Sequence, residues 1–171
     1  MIMANSYGVE TSSVLFKRQM LFANECVEQI FLYFGIELKS DYPEGVTDHY
    51  FSDSILVIVL KTMRNAQDLI IDQYNGWFKT GDRTLNFNNF KQLIDFITYL
   101  SCNAPYSHES LIELLAFASN IAVKAYLDGV PEAPDYAVKC ITYALAAFKF
   151  DSYRSDSLIN FSEDYKKGLF H

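Results

Sequence analysis

Few residues in this chain have the types and spacing that chemistry needs. The three histidines are His49, His108 and His171. They stand at no ligand-like distance from one another or from Cys26, Cys102 and Cys140, so a zinc centre is not expected. In "YSHES" Ser107 and His108 are neighbours. A serine–histidine nucleophile works through spatial approach, not adjacency, and the stretch reads better as a helix-capping loop. "YNGW" carries one glycine and forms no phosphate cradle. Asp and Glu are scattered, so a carboxylate dyad would have to be assembled by the fold. Each cysteine reads as a small buried hydrophobe, not as a nucleophile. These residues promote neither an enzyme nor a cofactor.

The composition points the same way. The chain has 171 residues, enough for a single domain spanning 1–171 with a real core. It is 50% hydrophobic and 16% aromatic with 20% charged residues, which is the composition of a folded protein. A net charge of -7 without basic clusters argues against nucleic acid and against an anionic membrane surface. It suits a basic partner or a cationic helix. Three widely spaced cysteines form no disulfide framework and fit a reducing, cytoplasmic setting. The start, "MIMANSYGVE", does not read as a signal peptide. No segment reaches the roughly 20 apolar residues of a spanning helix. The polar "SEDYKKGLFH" offers no integral membrane anchor, although a chain cut before such an anchor would read the same.

Periodicity then gives the elements, with an ordered core expected over about 12–168. Thr11, Ser12 and Ser13 can cap a first helix running to about Glu37. "KSDYPEGVTDHY" (39–50) reads as a loop. Ser52, Asp53 or Ser54 caps a second helix that continues through Met63, Ala66, Ile70 and Tyr74 to Phe78. "KTGDRTLNF" (79–87) connects it to an amphipathic helix over 88–101. Pro105 forbids a smooth continuation, and Ser107 is a natural N-cap with Glu109 in the first turn. The helix over 110–127 is apolar on nearly every side from Leu111 to Val123, so neighbours must enclose it. A helix over 135–150 and a last short helix, or pair of helices, over about 154–168 complete an all-α bundle around it.

Within that bundle, "MRNAQDLIIDQYNGWF" resembles the third homology motif of the Bcl-2 family of apoptosis regulators. Met63, Ala66, Asp68 and Ile70 fit its slots, and Gln67 fills the slot before the aspartate that usually takes a small residue. "FKQLIDFITYLS" (90–101) is similar to the helix preceding the family's first homology motif. "SLIELLAFASNIAVKAYL" is similar to the family's central hydrophobic helix. Leu158 with "FSEDY" (161–165) resembles the end of the second homology motif. These matches run in family order over about 12–168.

The resemblance implies a Bcl-2-like fold with a surface groove that takes an amphipathic helix through anchors at helical spacing. By that likeness Ile70, Tyr74, Phe78, Leu93, Phe96, Ile97, Leu111, Leu114 and Phe117 line the groove. Each of them also suits a plain core. The helix of residues 63–74 would turn its motif-like face inward and line the groove wall. The departures from the family narrow the expectation. The family usually carries Asn-Trp-Gly-Arg where this chain has Ser107, His108, Glu109 and Ser110, with a short insertion around Pro105. Ser110 cannot pair with the aspartate of an incoming death-motif helix, and Glu113 adds like-charge repulsion at the groove floor. Half of a buried charge pair left unmade costs about 2–5 kcal/mol. A selective binder is therefore expected, unless Arg83, Lys91 or Arg64 supplies the cation.

Taken together, the likeness implies an inhibitor of apoptosis that sequesters death-motif helices of pro-apoptotic Bcl-2 proteins. It resembles a virus-encoded homologue, acting in the host cytosol with peripheral association at mitochondria. Bulky Gln67 disfavours the alternative of a pro-apoptotic member, whose motif helix must approach a partner's groove closely. Another class stays open: a homodimeric interaction module with Tyr99, Tyr126 or Tyr153 on its dimer face.

Overall fold

The computed structural model describes residues 12–39, 51–80 and 83–169. Among these the chain is all-α, with seven helices and no strand. They are α1 (Ser12–Tyr33), α2 (Asp53–Asn65), α3 (Gln67–Phe78), α4 (Phe87–Cys102), α5 (His108–Leu127), α6 (Ala133–Ala147) and α7 (Ser152–Leu169). Thr11, most of the expected loop and His49 fall outside the described residues, as does His171.

Helix α5 lies at the centre. Twelve of its 20 residues are buried, and it packs against α1, α2, α3, α4 and α6. Small residues Ala116, Ala118, Ser119, Ala122 and Ala125 let neighbours approach on several sides at once. By length and composition α5 is also apolar enough to cross a membrane, contrary to the expectation that no segment reaches that length. Within its most apolar 18 residues 67% are buried, as in a core helix.

Local sequence explains most of the ends. Ser52, Asn86 and Ser107 cap α2, α4 and α5, each accepting a hydrogen bond from a backbone N–H three residues on. α1 stops at Tyr33, short of the expected Glu37, because Gly35 takes a left-handed turn with φ +80°. The Gly35 and Ile36 N–H groups then close back on Leu32 and Phe31. α5 ends in the same way at Gly129, and α6 does so at Lys149 with φ +52°. α7 is one helix of 18 residues.

The largest departure from the sequence reading is in the second helix, which is two helices. Ala66, at φ -100° and ψ 13°, ends α2 and starts α3. The apolar stripe gives the reason. From Ile55 through Val59, Met63, Ile70 and Tyr74 to Phe78 it drifts by about 140° around an ideal helix of about 100° per residue. A straight rod would carry Phe78 away from the core that holds Ile55. The break re-aims α3, and all six side chains are buried.

Candidate interaction surfaces

Helix α3 rests mainly on α5 and α2. Ile70, Tyr74 and Phe78 recur every fourth residue and point inward. The Tyr74 hydroxyl donates to Asp128 Oδ2 at 2.7 Å, just past the end of α5. Burial first, and then the Asp128 carboxylate, raise the Tyr74 pKa, so the phenol stays protonated and donating. At the other end of α3 the buried Asn120 amide lies 3.4 Å from Gln67 Oε1. Two polar links thus tie α3 to α5.

The residues named for the groove do converge, but mostly as core. Ile70, Tyr74, Phe78, Leu93, Ile97, Leu111 and Leu114 are buried in one cluster together with Met63. Phe117 is half-buried and packs against that cluster. Ser110, Ala66 and Gln67 are half-buried, while Asp68 and Glu113 are exposed. Phe96 is 47% exposed and its ring stacks 6.4 Å from the Trp77 indole at an interplanar angle of 19°. Trp77 Nε1 donates to the Asn89 carbonyl at 3.0 Å. The Arg83 guanidinium lies 3.9 Å from the centre of the Trp77 ring. Leu69 and Leu100 are exposed apolar side chains on α3 and α4. Trp77 was not singled out from the sequence, and its contacts with Asn89 and Phe96 on α4 come only from the fold.

A second cluster forms at the start of α5. Ser107 Oγ accepts from the Ser110 N–H at 3.0 Å and donates to Ser110 Oγ at 2.9 Å. His108 Nδ1 is 2.7 Å from the Tyr106 hydroxyl, and His108 Nε2 is 3.0 Å from Ser157 Oγ on α7. So the serine that meets His108 lies 49 residues away, not next to it. Burial holds the His108 pKa below 6.5, with Arg154 lowering it further and Glu109 opposing. Burial also pushes the Tyr106 phenol up to about 12, so this third group is neutral. A neutral phenol cannot stabilise an imidazolium as a carboxylate would. The trio works as a clamp between α5 and α7. The Arg154 guanidinium lies 4.3 Å from the centre of the Tyr106 ring, and its Nη1 is buried without a hydrogen-bond partner.

The cations weighed from the sequence lie elsewhere. Arg83 precedes α4, and the whole length of that helix separates it from the start of α5. Lys91 lies over the Phe87 and Tyr136 rings. Arg64 is exposed at the end of α2. Of the tyrosines named for a dimer face, Tyr99 and Tyr153 are 61% and 81% exposed and Tyr126 is half-buried.

A third feature is a cleft of about 720 Å³ between α4 and α6, lined by Asp95, Tyr99, Cys102, Tyr136, Cys140 and Tyr143 among others. Asp95 Oδ1 accepts from the Tyr136 hydroxyl and, at 3.6 Å, from the Cys140 thiol. Burial, with Asp95 beside it, pushes the Cys140 thiol up to about 12. Burial alone raises Cys102. Cys26, 3.9 Å from Ser119 Oγ, is likewise pushed up to about 12 by burial. All three thiols are free and held as thiols. No group of three or more His, Cys, Asp or Glu is gathered for a metal among the described residues.

Comparison with protein-family models, with curated proteins and with solved structures gives no match.

Proposed function

We propose that the protein is a pro-survival, Bcl-2-like regulator that sequesters the amphipathic death-motif helix of a pro-apoptotic partner. The observation that carries this reading is the convergence of Ile70, Tyr74 and Phe78, Leu93 and Ile97, and Leu111 and Leu114 from α3, α4 and α5 on one apolar wall. α3 supplies one side of that wall, separated from α2 by the break at Ala66 and tied to α5 by the Tyr74–Asp128 and Gln67–Asn120 links. A ligand helix would part α3 from α4 and α5 and seat its apolar anchors, at helical spacing, between the faces so opened. Phe96, Leu69 and Leu100, already exposed, would form the rim. Burial of the wall in the free protein reduces apparent affinity by the fraction of molecules that are open. Only ligands with strong anchors overcome that cost, which adds to the selectivity expected from Ser110 and Glu113.

Arg154 is the guanidinium at the Ser110 end. Its buried Nη1 lacks an acceptor, which a ligand carboxylate would supply. The test is calorimetric titration against a panel of death-motif peptides, each paired with a version whose motif aspartate is Ala. Submicromolar binding of one or a few peptides is the expected result. Arg154→Ala should weaken those peptides and leave their Asp→Ala versions unchanged. No binding by any peptide would sink the proposal, and equal tight binding of most would sink its selectivity.

A second reading is a homodimeric module, favoured by the exposure of Tyr99 and Tyr153. Mass measured against concentration separates the two.

A further inference from the structure

The α4–α6 cleft plays no part in the reading above. Its volume, about 720 Å³, lies in the range of sites that enclose small organic groups. Tyr99 on α4 and Tyr143 on α6 border it, 61% and 67% exposed, and neither ring stacks on another among the described residues. The cleft also holds a fixed carboxylate. Tyr136 and Cys140 both donate to Asp95 Oδ1, which sets its orientation and leaves Oδ2 without a described partner. Lys139 borders the cleft and is exposed, but no ion pair joins it to Asp95 among the described residues. The Lys91 ammonium lies 5.6 Å from the centre of the Tyr136 ring, outside the residues that line the cleft. The chain as a whole carries -7 and draws cationic partners.

We propose that this cleft receives an arginine side chain presented by a partner protein, its guanidinium against the Tyr99 and Tyr143 rings and its N–H groups donating to Asp95. The chemistry selects arginine over other side chains. A guanidinium is planar, so it lies flat on an aromatic face, and it offers parallel N–H donors to a carboxylate. An ammonium is a more strongly hydrated point charge that gains less from the rings. A neutral side chain leaves the Asp95 charge uncompensated.

The test uses the whole chain and N-acetyl-arginine methylamide, followed by NMR of the tyrosine ring resonances. The control is N-acetyl-citrulline methylamide, which keeps the shape and loses the charge. Arginine should shift the signals of Tyr99, Tyr136 and Tyr143 in a saturable way. Citrulline, and arginine titrated into Asp95→Asn, should bind at least about tenfold more weakly. Tyr143→Ala, at an exposed position, should weaken binding with the circular dichroism unchanged. Equal shifts with citrulline, unaltered binding by Asp95→Asn, or shifts spread over other faces would overturn the proposal. No death-motif peptide is involved, so failure here leaves the groove reading standing, and failure of that reading leaves this one.

Discussion

Lys149 holds a left-handed backbone, φ +52°, where α1 and α5 use glycine for the same closing turn. A Cβ in that region costs about 1–2 kcal/mol, partly offset by the extra freedom glycine has in the unfolded chain. Lys149→Gly is therefore expected to stabilise the protein by about 0.5–1 kcal/mol, read from chemical denaturation. A loss of stability would refute this account of the turn. His108 gives a pH dependence. Its folded pKa lies below 6.5, so as pH falls through that value the unfolded chain takes up a proton that the folded chain refuses. Stability is full above 6.5 and declines below it. His108→Gln should flatten this part of the curve relative to the parent, and parallel curves for the two would exclude the effect. The polar and charged groups near the ring are Tyr106, Ser157, Glu109 and Arg154, and the Phe161 ring packs 5.3 Å from it. At this scale the sequence was readable where partners are local, as with Ser107 capping α5. It was silent on Ser157 and Arg154, because nothing in a sequence sets a distance between residues on different helices.

Among the elements, α3 is the one with a distinct part to play. Its hydroxyl link to Asp128 is a single hydrogen bond, worth about 1 kcal/mol. Tyr74→Phe keeps the ring in the core and removes only that link. The expected result is about 1 kcal/mol less stability, with amide exchange rising in 67–78 more than in α5. Uniform acceleration across the bundle would mean that α3 does not open by itself. If a ligand helix enters by parting α3 from α5, as proposed, the same variant should bind death-motif peptides more tightly. The helices themselves were legible, since a greasy α5 and a capped α4 announce themselves through period and end residues. The break at Ala66 was not, because Ala is a good helix former and the residues on both sides keep the four-residue spacing. What breaks the helix is the accumulated drift of that spacing, visible only when the core is fixed in space. The groove residues were legible as an apolar set. Whether they face a groove or a core was not, since an apolar residue at helical spacing suits either, and it is the packing of α3 on α5 that buries them.

For the whole molecule, the enclosure of α5 by five helices governs what solvent can reach. Cys26 sits where α1 meets α5, and its thiol is held near about 12 against an ordinary 9.0. Its thiolate fraction is therefore smaller than in the open chain. Since only the thiolate reacts, Cys26 is shielded from alkylating reagents in the folded protein twice over, by access and by protonation. Labelling at Cys26 therefore requires the centre of the bundle to open, and its rate, compared with that of Cys102 at the cleft, reports on that opening.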